Sequence, residues 1–295
     1  RDPKTGQLGV AVQSHYFSVG SIVTWAEAGV GAVATQSFVK ADYGPDGLDL
    51  MRNGKSASEA LATLIEADED RNVRQVAMVD ASGDVAAHTG ELCVKGAGHI
   101  VGDQFSVQAN LMLNDTIWPA MDQAFRGTEG DLAERLLAAL DAAQAAGGDI
   151  RGQQSAALLI VSGEKQEKPY YGRLFDLRVE DHPRPLEELR RLVQLRRAYR
   201  LQDEGDEYLT AHEFEKAAGV TEQAFKLAPD IVEFKFWAAV SFLTAGREEE
   251  AMSFFRDVFA REPVWAELVP RLVEPGLLPD DPQMLSRILE QNPGK

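Results

Sequence analysis

The stretch GGDIRGQQSAALLIV, residues 147–161, contains the segment that decides the fold. Residues 155–161 are apolar almost without a break, whereas a strand with one face in water alternates apolar and polar residues. The segment therefore predicts a strand that is covered on both faces. Two glycines, an acid, a base and two amides precede it, so polar groups gather at the mouth of a buried strand.

Outward from this strand, residues 1 to about 180 contain short strands and turns, interrupted by two helical blocks. The strand candidates are residues 8–14, 20–26, 30–37, 74–80, 84–90, 105–110, 155–161 and 174–180. Residues 56–67 and 131–148 predict helices, because each block begins with the spacing of a capping box. The turn at residues 81–84 predicts a hairpin. The predicted fold class is α+β, with stacked antiparallel sheets between helical layers.

After residue 180 the strand pattern ends, and a charged helix follows a proline-rich joint. Beyond it, aligning Pro229 with Pro263, 34 residues later, superposes small residues on small ones and aromatic residues on aromatic ones. This pattern resembles the tetratricopeptide repeat in degenerate copies over about residues 198–265, with a capping helical segment over residues 266–291. The predicted domains are residues 1–182, a connecting helix over 183–204 and a tetratricopeptide-like helical domain over 205–295.

Charge and composition argue against several classes of function. A formal net charge of −17 without a Lys/Arg-rich run argues against a nucleic-acid partner. No stretch reaches the roughly 18 apolar residues of a membrane helix, so no membrane partner is expected. Cys93 is the one cysteine, which excludes an internal disulfide, and a reducing, cytoplasmic location is expected. The histidines lack the spacing of a zinc motif, and no metal or other cofactor is expected.

The opening residues, Asp2 to Gly6, have the composition of a tight turn that leads into the strand at 8–14. A hairpin turn joins two strands, and no strand precedes this one. Either a first strand has been removed, or residues 8–13 lie at a sheet edge with one side unpaired. We expect the removal of a first strand.

Several long motifs in the sequence are similar to those of one family. RDPKTGQLGVAVQSHYFSVGSIVTWAEAGVGAVATQSFVKADYGPDGLDLM, AAHTG, VQANLML, AERLLAALDAAQAAGGDIRGQQSAALLIV and DLRVEDHPRPLEELRRL occur in the order seen in the bacterial and archaeal domain of unknown function 1028 family. The resemblance covers about residues 1–200 and implies a fold like the N-terminal nucleophile hydrolases, a four-layer αββα sandwich. In that family a helical tail of this kind has been labelled peptidoglycan-binding.

Such enzymes attack an amide with a first-residue Ser, Thr or Cys and use the free α-amine as the base. Arg1 carries no nucleophilic atom, so the resemblance implies that the strand bearing the nucleophile is missing from this sequence. A lost strand folded back through the turn at Asp2 to Gly6 would place its far end beside Ser14 and His15. The next inner strand ends at Thr35 and Gln36.

These strand ends give the candidate catalytic residues Ser14, His15, Thr35, Gln36, His88 and Asn110. The histidines are candidate proton carriers, and Asn110 is a candidate oxyanion donor. The alternatives are a His15 satisfied by a backbone carbonyl, a His88 at an exposed strand end, and an Asn110 that only adopts left-handed geometry.

Thr89, Asp149, Arg151 and Gln154 are the candidate substrate-binding residues. Asp149 and Arg151 can pair or bind opposite ends of a polar ligand, and Gln154 adds a neutral donor and acceptor. The alternative is a structural role, in which Asp149 caps a turn and Arg151 ties the sheet to a helix.

The sequence thus predicts an amidohydrolase of the N-terminal nucleophile type for a small amide or peptide-like substrate. The alternative is a non-catalytic binding protein that presents the hydrolase-like domain and the helical repeats to a peptide, protein or cell-wall fragment. The repeats are expected to recruit a protein or peptide partner or to support a homo-oligomer.

Overall fold

The computed structural model describes residues 1–293, the side chain of residue 169 excepted, so the last two residues of the predicted domain 205–295 lie outside the described part. The fold is mixed α+β, with strands in the first part of the chain and helices in the second, as predicted. The strands are β1 Leu8–Ser14, β2 Thr24–Glu27, β3 Gly31–Ser37, β4 Arg74–Asp80, β5 Val85–Thr89, β6 Gly98–Gly102, β7 Phe105–Ala109, β8 Ser155–Val161 and β9 Arg173–Val179. The helices are α1 Gly20–Val23, α2 Tyr43–Arg52, α3 Ala57–Ala67, α4 Ile117–Gly127, α5 Leu132–Ala145, α6 Pro185–Thr210, α7 Phe214–Leu227, α8 Val232–Thr244, α9 Glu248–Arg261 and α10 Pro282–Leu289.

The strands form three antiparallel sheets in the first of two compact units, residues 1–193. Their strand orders are β1-β8-β9, β2-β3-β4-β5 and β6-β7. The predicted hairpin is the β4–β5 pair, in which Val79 lies opposite Val85. All seven residues of β8 are buried, which confirms the strand predicted from residues 155–161.

Alternate residues of β8 enter two different apolar clusters, as the pleat of a strand requires. Ala157, Leu159 and Val161 pack with residues of β1, β3 and β4. Ala156, Leu158 and Ile160 pack in a second cluster with residues of α4, α5 and the start of α6. A third cluster joins β3 and β4 to α2 and α3. The sheets β1-β8-β9 and β2-β3-β4-β5 therefore share one apolar cluster, and each shares another with a pair of helices.

The helix starts predicted from capping boxes are confirmed in both blocks. At α3 the Ser56 hydroxyl accepts from the backbone of Glu59, whose carboxylate accepts from the backbone of Ser56. The β4–β5 hairpin adds two further acceptors: Asp80 accepts from the backbone of Ala57 at 3.0 Å, and Asp84 from that of Ser58 at 2.8 Å. At α5 the Asp131 carboxylate accepts from the backbone of Glu134.

Three elements depart from the predicted pattern. Residues 20–23, predicted as the first half of a strand, form the short helix α1. The Thr24 hydroxyl donates to the carbonyl of Gly20 at 2.9 Å, and Gly20 packs directly against Ala157, so tertiary contact outweighs strand propensity there. Helix α4 and strand β6 were not predicted. Pro119 argues against a helix in the sequence of α4, but it lies in the first turn, where a missing backbone N–H costs little.

The second compact unit, residues 194–295, is helical in its described part, and the division between the units falls within α6. Its apolar core is aromatic and includes the fully buried side chains of Phe236, Phe242, Phe255 and Phe259. Across the described residues of both units, no helix has the length and apolar character needed to cross a bilayer.

Candidate functional site

A slot separates the edges of β1 and β7. Among the described residues, β1 pairs with β8 and no other strand, and β7 pairs with β6 alone. A cavity of about 370 Å³ is lined by residues 11–14 from β1 and by residues 106–110 from β7 and the turn after it. A smaller cavity of about 70 Å³, lined in part by residues 9–11 and 105–106, continues along the same two strands. We call the space occupied by these two cavities the slot.

Polar side chains gather at the end of the slot near the last residue of β1, which we call its mouth. The predicted site residues that line the larger cavity are Ser14, Gln36, Asn110, Asp149 and Arg151. They come from the ends of β1, β3 and β7 and from the turn before β8. The structure therefore brings five of the ten sequence-predicted residues to one cavity.

Asp149 and Arg151 form a bidentate ion pair at the mouth. Nε of Arg151 donates to Oδ1 of Asp149 at 2.9 Å, and Nη2 donates to Oδ2 at 2.6 Å. The carboxylate also accepts from the backbone nitrogens of Arg151, at 2.9 Å, and of His15, at 3.4 Å. Burial raises the pKa of Asp149, but the Arg151 guanidinium and these backbone donors outweigh it and hold that pKa below its usual value. The pair thus fixes both side chains and leaves them charged.

A buried glutamine orients two amides that line the cavity. Gln75 has no exposed surface, and its Oε1 accepts from Nε2 of Gln36 at 2.6 Å and from Nδ2 of Asn110 at 3.1 Å. Its Nε2 is held by the Ala109 carbonyl at 2.9 Å and by the Thr89 hydroxyl at 2.9 Å. Each of the two donors is an NH₂ group with a second hydrogen, so both retain a donor for a group in the cavity.

Three other predicted residues are bonded away from the cavity. The hydroxyl of Thr35, which is fully buried, donates to the Lys40 carbonyl at 3.1 Å. Nε2 of His88 donates to the Arg71 carbonyl at 2.8 Å. Thr89 bonds to Gln75, and its hydroxyl also lies 2.8 Å from Nδ1 of His99. Thr89 is therefore linked to the mouth only through Gln75.

The two remaining predicted residues flank the mouth without lining the cavity. His15 is exposed, and its backbone contributes to the Asp149 site. Gln154 is half-buried, and its carbonyl accepts from the backbone of His182 at 2.8 Å. Neither side chain lines the larger cavity.

Backbone strain is concentrated around the mouth. Ser37 and Leu111, which both line the cavity, have φ values of 70° and 60°, and Ser18, beside the lining residue Val19, has 56°. A left-handed backbone costs a residue with a side chain about 1–2 kcal/mol. Such strain is typical of functional sites, where surrounding structure maintains it.

Sequence reasoning missed two polar residues, one that orients the lining amides and one that lines the larger cavity. The first, Gln75, is the single amide of β4 and directly precedes the apolar run of residues 76–79, and this contrast was the available signal. Gln13 donates from Nε2 to the Leu140 carbonyl at 3.2 Å, while its buried Oε1 has no partner among the described residues. An unpaired buried acceptor is costly, so a group that donates to it is expected in the slot.

The site does not have the composition of a metal centre. In the part of the chain that the structure describes, no three His, Cys, Asp or Glu side chains are grouped closely enough to hold an ion. Cys93 is buried, and its thiol donates to the Arg74 carbonyl at 3.3 Å.

Comparison with known proteins identified a matching family and a similar solved structure. Residues 1–189 match the model of DUF1028, described as a family of unknown function. The crystal structure of protein SPO2555 from Silicibacter pomeroyi, assigned to the same family, is similar with 30% sequence identity and a TM-score of 0.59. The similarity covers 66% of this chain and 82% of that chain. No curated protein matched the sequence.

Proposed function

The chain belongs to the DUF1028 family, whose function is unknown, and we propose that it is an amidohydrolase of the N-terminal nucleophile type. Its substrate is a small amide or a peptide-like molecule. The observation that carries the proposal is the slot between β1 and β7, which opens beside Ser14, Asn110 and Arg151. In the proposal a strand fills this slot and presents a Ser, Thr or Cys at the mouth.

The turn at the start of the chain supports the direction of that strand. The backbone nitrogen of Asp2 donates to the Gln7 carbonyl at 2.9 Å, and that of Gly6 donates to the Asp2 carbonyl at 2.9 Å. Gly6 has a φ of 71°, as expected at a bulge in a hairpin turn. The backbone nitrogen of Arg1 donates to the carbonyl of Gln104, directly before β7, at 2.8 Å. Residues 1–2 therefore lie between β1 and the start of β7.

The same turn sets the length of the proposed strand. Asp2 lies opposite Gln7, and Ser14 stands seven positions further along β1. A strand that continues this antiparallel ladder places a residue opposite Ser14 seven positions before Asp2, roughly six before Arg1. Its side-chain nucleophile would then lie at the mouth, beside the cavity-lining amides.

The side chains at the mouth suit the chemistry. The nucleophile's oxygen or sulfur attacks the amide carbon and gives its proton to the α-amine, which returns it to the departing amine as the C–N bond breaks. The charge that develops on the carbonyl oxygen is stabilised by the second N–H of Asn110, with Gln36 as a further donor. Water then hydrolyses the acyl-enzyme. The buried, unpaired Oε1 of Gln13 supplies an acceptor for a donor on the strand in the slot.

The packing of the first unit supports the finer part of the fold prediction. Two sheets share one apolar cluster, and each shares a second cluster with helices, which is the order expected of an αββα sandwich like that of N-terminal nucleophile hydrolases. In this proposal β1 and β7 belong to one sheet once the slot is filled.

In the helical unit, the helix bounds support tetratricopeptide-like repeats. Helix α9 begins and ends 34 residues after α7, and α8 ends 34 residues after α6. A Cβ on Gly205 of α6 would lie 2.6 Å from Cγ2 of Thr221 in α7, so the glycine permits close approach of the pair. We assign this unit to recruiting a protein or peptide partner or to homo-oligomer formation.

One observation favours the alternative of a binding protein. Among the described cavity-lining residues, no hydroxyl is bonded to a histidine, a lysine or a carboxylate, so the lining supplies no nucleophile with its own base. The binding alternative uses the same cavity without a strand nucleophile.

Hydrolysis by the natural gene product separates the two functions. The assay detects amine release from a panel of N-acyl amino acids and dipeptides, for the protein and for a variant with Ala at its mature first residue. The proposal expects amine release that the Ala variant loses by a factor of about 10³ or more. Hydrolysis that survives this replacement contradicts the nucleophile, and ligand binding without hydrolysis supports the binding alternative.

A further inference from the structure

Arg151 has an unused donor group at the mouth. Its Nε and Nη2 are taken by Asp149, whereas Nη1 has no partner among the described residues. The side chain lines the cavity and is 40% exposed. Because the ion pair holds the guanidinium plane in place, Nη1 has little conformational freedom left to lose on binding a ligand.

The rest of the lining contains no competing acid. Among the described residues that line the cavity, Asp149 is the one carboxylate, and it is already paired with Arg151. This contrasts with a chain whose formal net charge is −17. An anion that enters the cavity therefore meets two amide donors and a guanidinium, and no unpaired negative charge.

Apolar side chains surround the same opening. Tyr16 and Phe38 line the cavity and are 55% and 58% exposed, and Ile150, between Asp149 and Arg151, is 61% exposed. Large side chains exposed at the opening of a cavity are a common feature of binding sites. Burying one aromatic ring of a ligand against them would add the affinity that the polar groups alone lack.

We propose that the mouth selects amides that carry a carboxylate beside an apolar group, as N-acylated aromatic or aliphatic amino acids and peptide carboxyl ends do. Nη1 of Arg151 receives the carboxylate, and Tyr16 and Phe38 receive the apolar group. This inference rests on the proposed amidohydrolase site and adds its substrate class.

Equilibrium binding tests this selectivity without requiring turnover. The probes are N-acetyl-L-phenylalanine and its uncharged counterpart N-acetyl-L-phenylalaninamide, titrated into the full chain and followed by NMR chemical shifts. The carboxylate probe is expected to bind about tenfold more tightly than the amide, because a charge-assisted hydrogen bond replaces a neutral one. In Arg151→Gln this preference is expected to fall to about twofold or less. In that variant Asp149 keeps its two backbone donors, which preserves the turn.

Two further variants separate the contributions of the Arg151 charge, the planar guanidinium geometry and the apolar contact to probe binding. Arg151→Lys keeps the positive charge but not the planar guanidinium group, so it is expected to retain part of the preference for the carboxylate probe. Phe38→Ser, at an exposed position, is expected to weaken both probes about equally and leave their ratio unchanged. Equal binding of the two probes by the wild-type chain, binding of neither, or a preference that persists in Arg151→Gln overturns the inference. Because no bond is broken in these titrations, a failure of the selectivity is distinguishable from a failure of the proposed hydrolysis.

Discussion

Nδ2 of Asn110 donates a hydrogen bond to Oε1 of Gln75 over 3.1 Å. Because Gln75 is fully buried and its own nitrogen is held by two carbonyls and a hydroxyl, this bond fixes which atom of Asn110 is the nitrogen. The second hydrogen of that nitrogen is then available to the cavity, which Asn110 lines. A residue of β4 in the sheet thereby determines the donor geometry at the mouth.

Replacing Gln75 by Leu is expected to lower the free energy of unfolding by about 2 kcal/mol, because two carbonyls and two amides lose the hydrogen bonds that they make with Gln75. Urea unfolding measures the change. Gln223→Leu, at an exposed position on α7, is the matched control and is expected to stay within about 0.5 kcal/mol of wild type. Equal stability of the two variants would show that the network contributes nothing.

Replacing Asn110 by Ala is expected to lower kcat of the natural gene product by about 10²–10³, since one oxyanion donor is lost. Initial rates of amine release test this, with circular dichroism to confirm the fold. Asn53→Ala, at the exposed end of α2, is expected to leave kcat unchanged. A loss of less than twofold in Asn110→Ala would remove this residue from the mechanism.

Half of the predicted residues line the larger cavity, because polar residues that flank buried strands tend to meet at one edge of a sheet. Ser14, Gln36 and Asn110 follow apolar strands, whereas Asp149 and Arg151 precede one. Thr35 and His88 also stand at or near strand ends, but a strand alternates its side chains, and theirs are bonded to other backbone segments. Gln75 lies inside a strand, where position alone gives no reason to expect a site.

Asp68 is expected to make stability depend on pH at acid values. Burial raises its pKa, but hydrogen bonds from Arg74 and Tyr43 outweigh burial and hold that pKa below its usual value. A carboxylate with a lowered folded-state pKa stabilises the fold above its unfolded value, near 4, and this contribution is lost as pH falls through the folded pKa. Asp68→Asn should therefore be less stable than wild type at pH 7, by about 2 kcal/mol.

Unfolding in urea at a series of pH values from 7 to 3 measures this dependence. The Asp68→Asn protein should lose less stability than wild type over the acid part of the range. Asp103→Asn, at an exposed position, should parallel wild type throughout. Parallel curves for Asp68→Asn and wild type would show that Asp68 has the same pKa folded and unfolded.

The two helical-unit glycines Gly205 and Gly219 are expected to respond oppositely to alanine. A Cβ at Gly205 would collide with Thr221, so Gly205→Ala should destabilise the protein by about 1–3 kcal/mol. At Gly219, in α7, no described atom beyond its chain neighbours and the adjacent helix backbone lies within 4 Å of the added Cβ, and Gly219→Ala should stabilise by about 0.5–1 kcal/mol through helix propensity. Thermal unfolding followed by circular dichroism compares them. A stabilised Gly205→Ala would contradict the close packing of α6 and α7.

The sequence predicts the strands and helices correctly where the apolar pattern is clear or a capping box marks the start of a helix. Predicted strands 8–14, 74–80 and 155–161 coincide with β1, β4 and β8, and the capping boxes located α3 and α5. The predictions of secondary structure fail where contacts between residues distant in sequence determine the local structure. The packing of Gly20 against Ala157 turns a strand-like sequence into α1, and β6 is a glycine-bounded segment whose partner strand is β7.

The proposed hydrolase activity depends most on which segment occupies the slot. Intact-mass measurement of the natural gene product, purified without added protease, gives its mature first residue directly. We expect a Ser, Thr or Cys roughly six residues before Arg1, the position that the hairpin ladder places opposite Ser14. A mature terminus at Arg1, or a first residue without a hydroxyl or thiol, would contradict the proposed hydrolase.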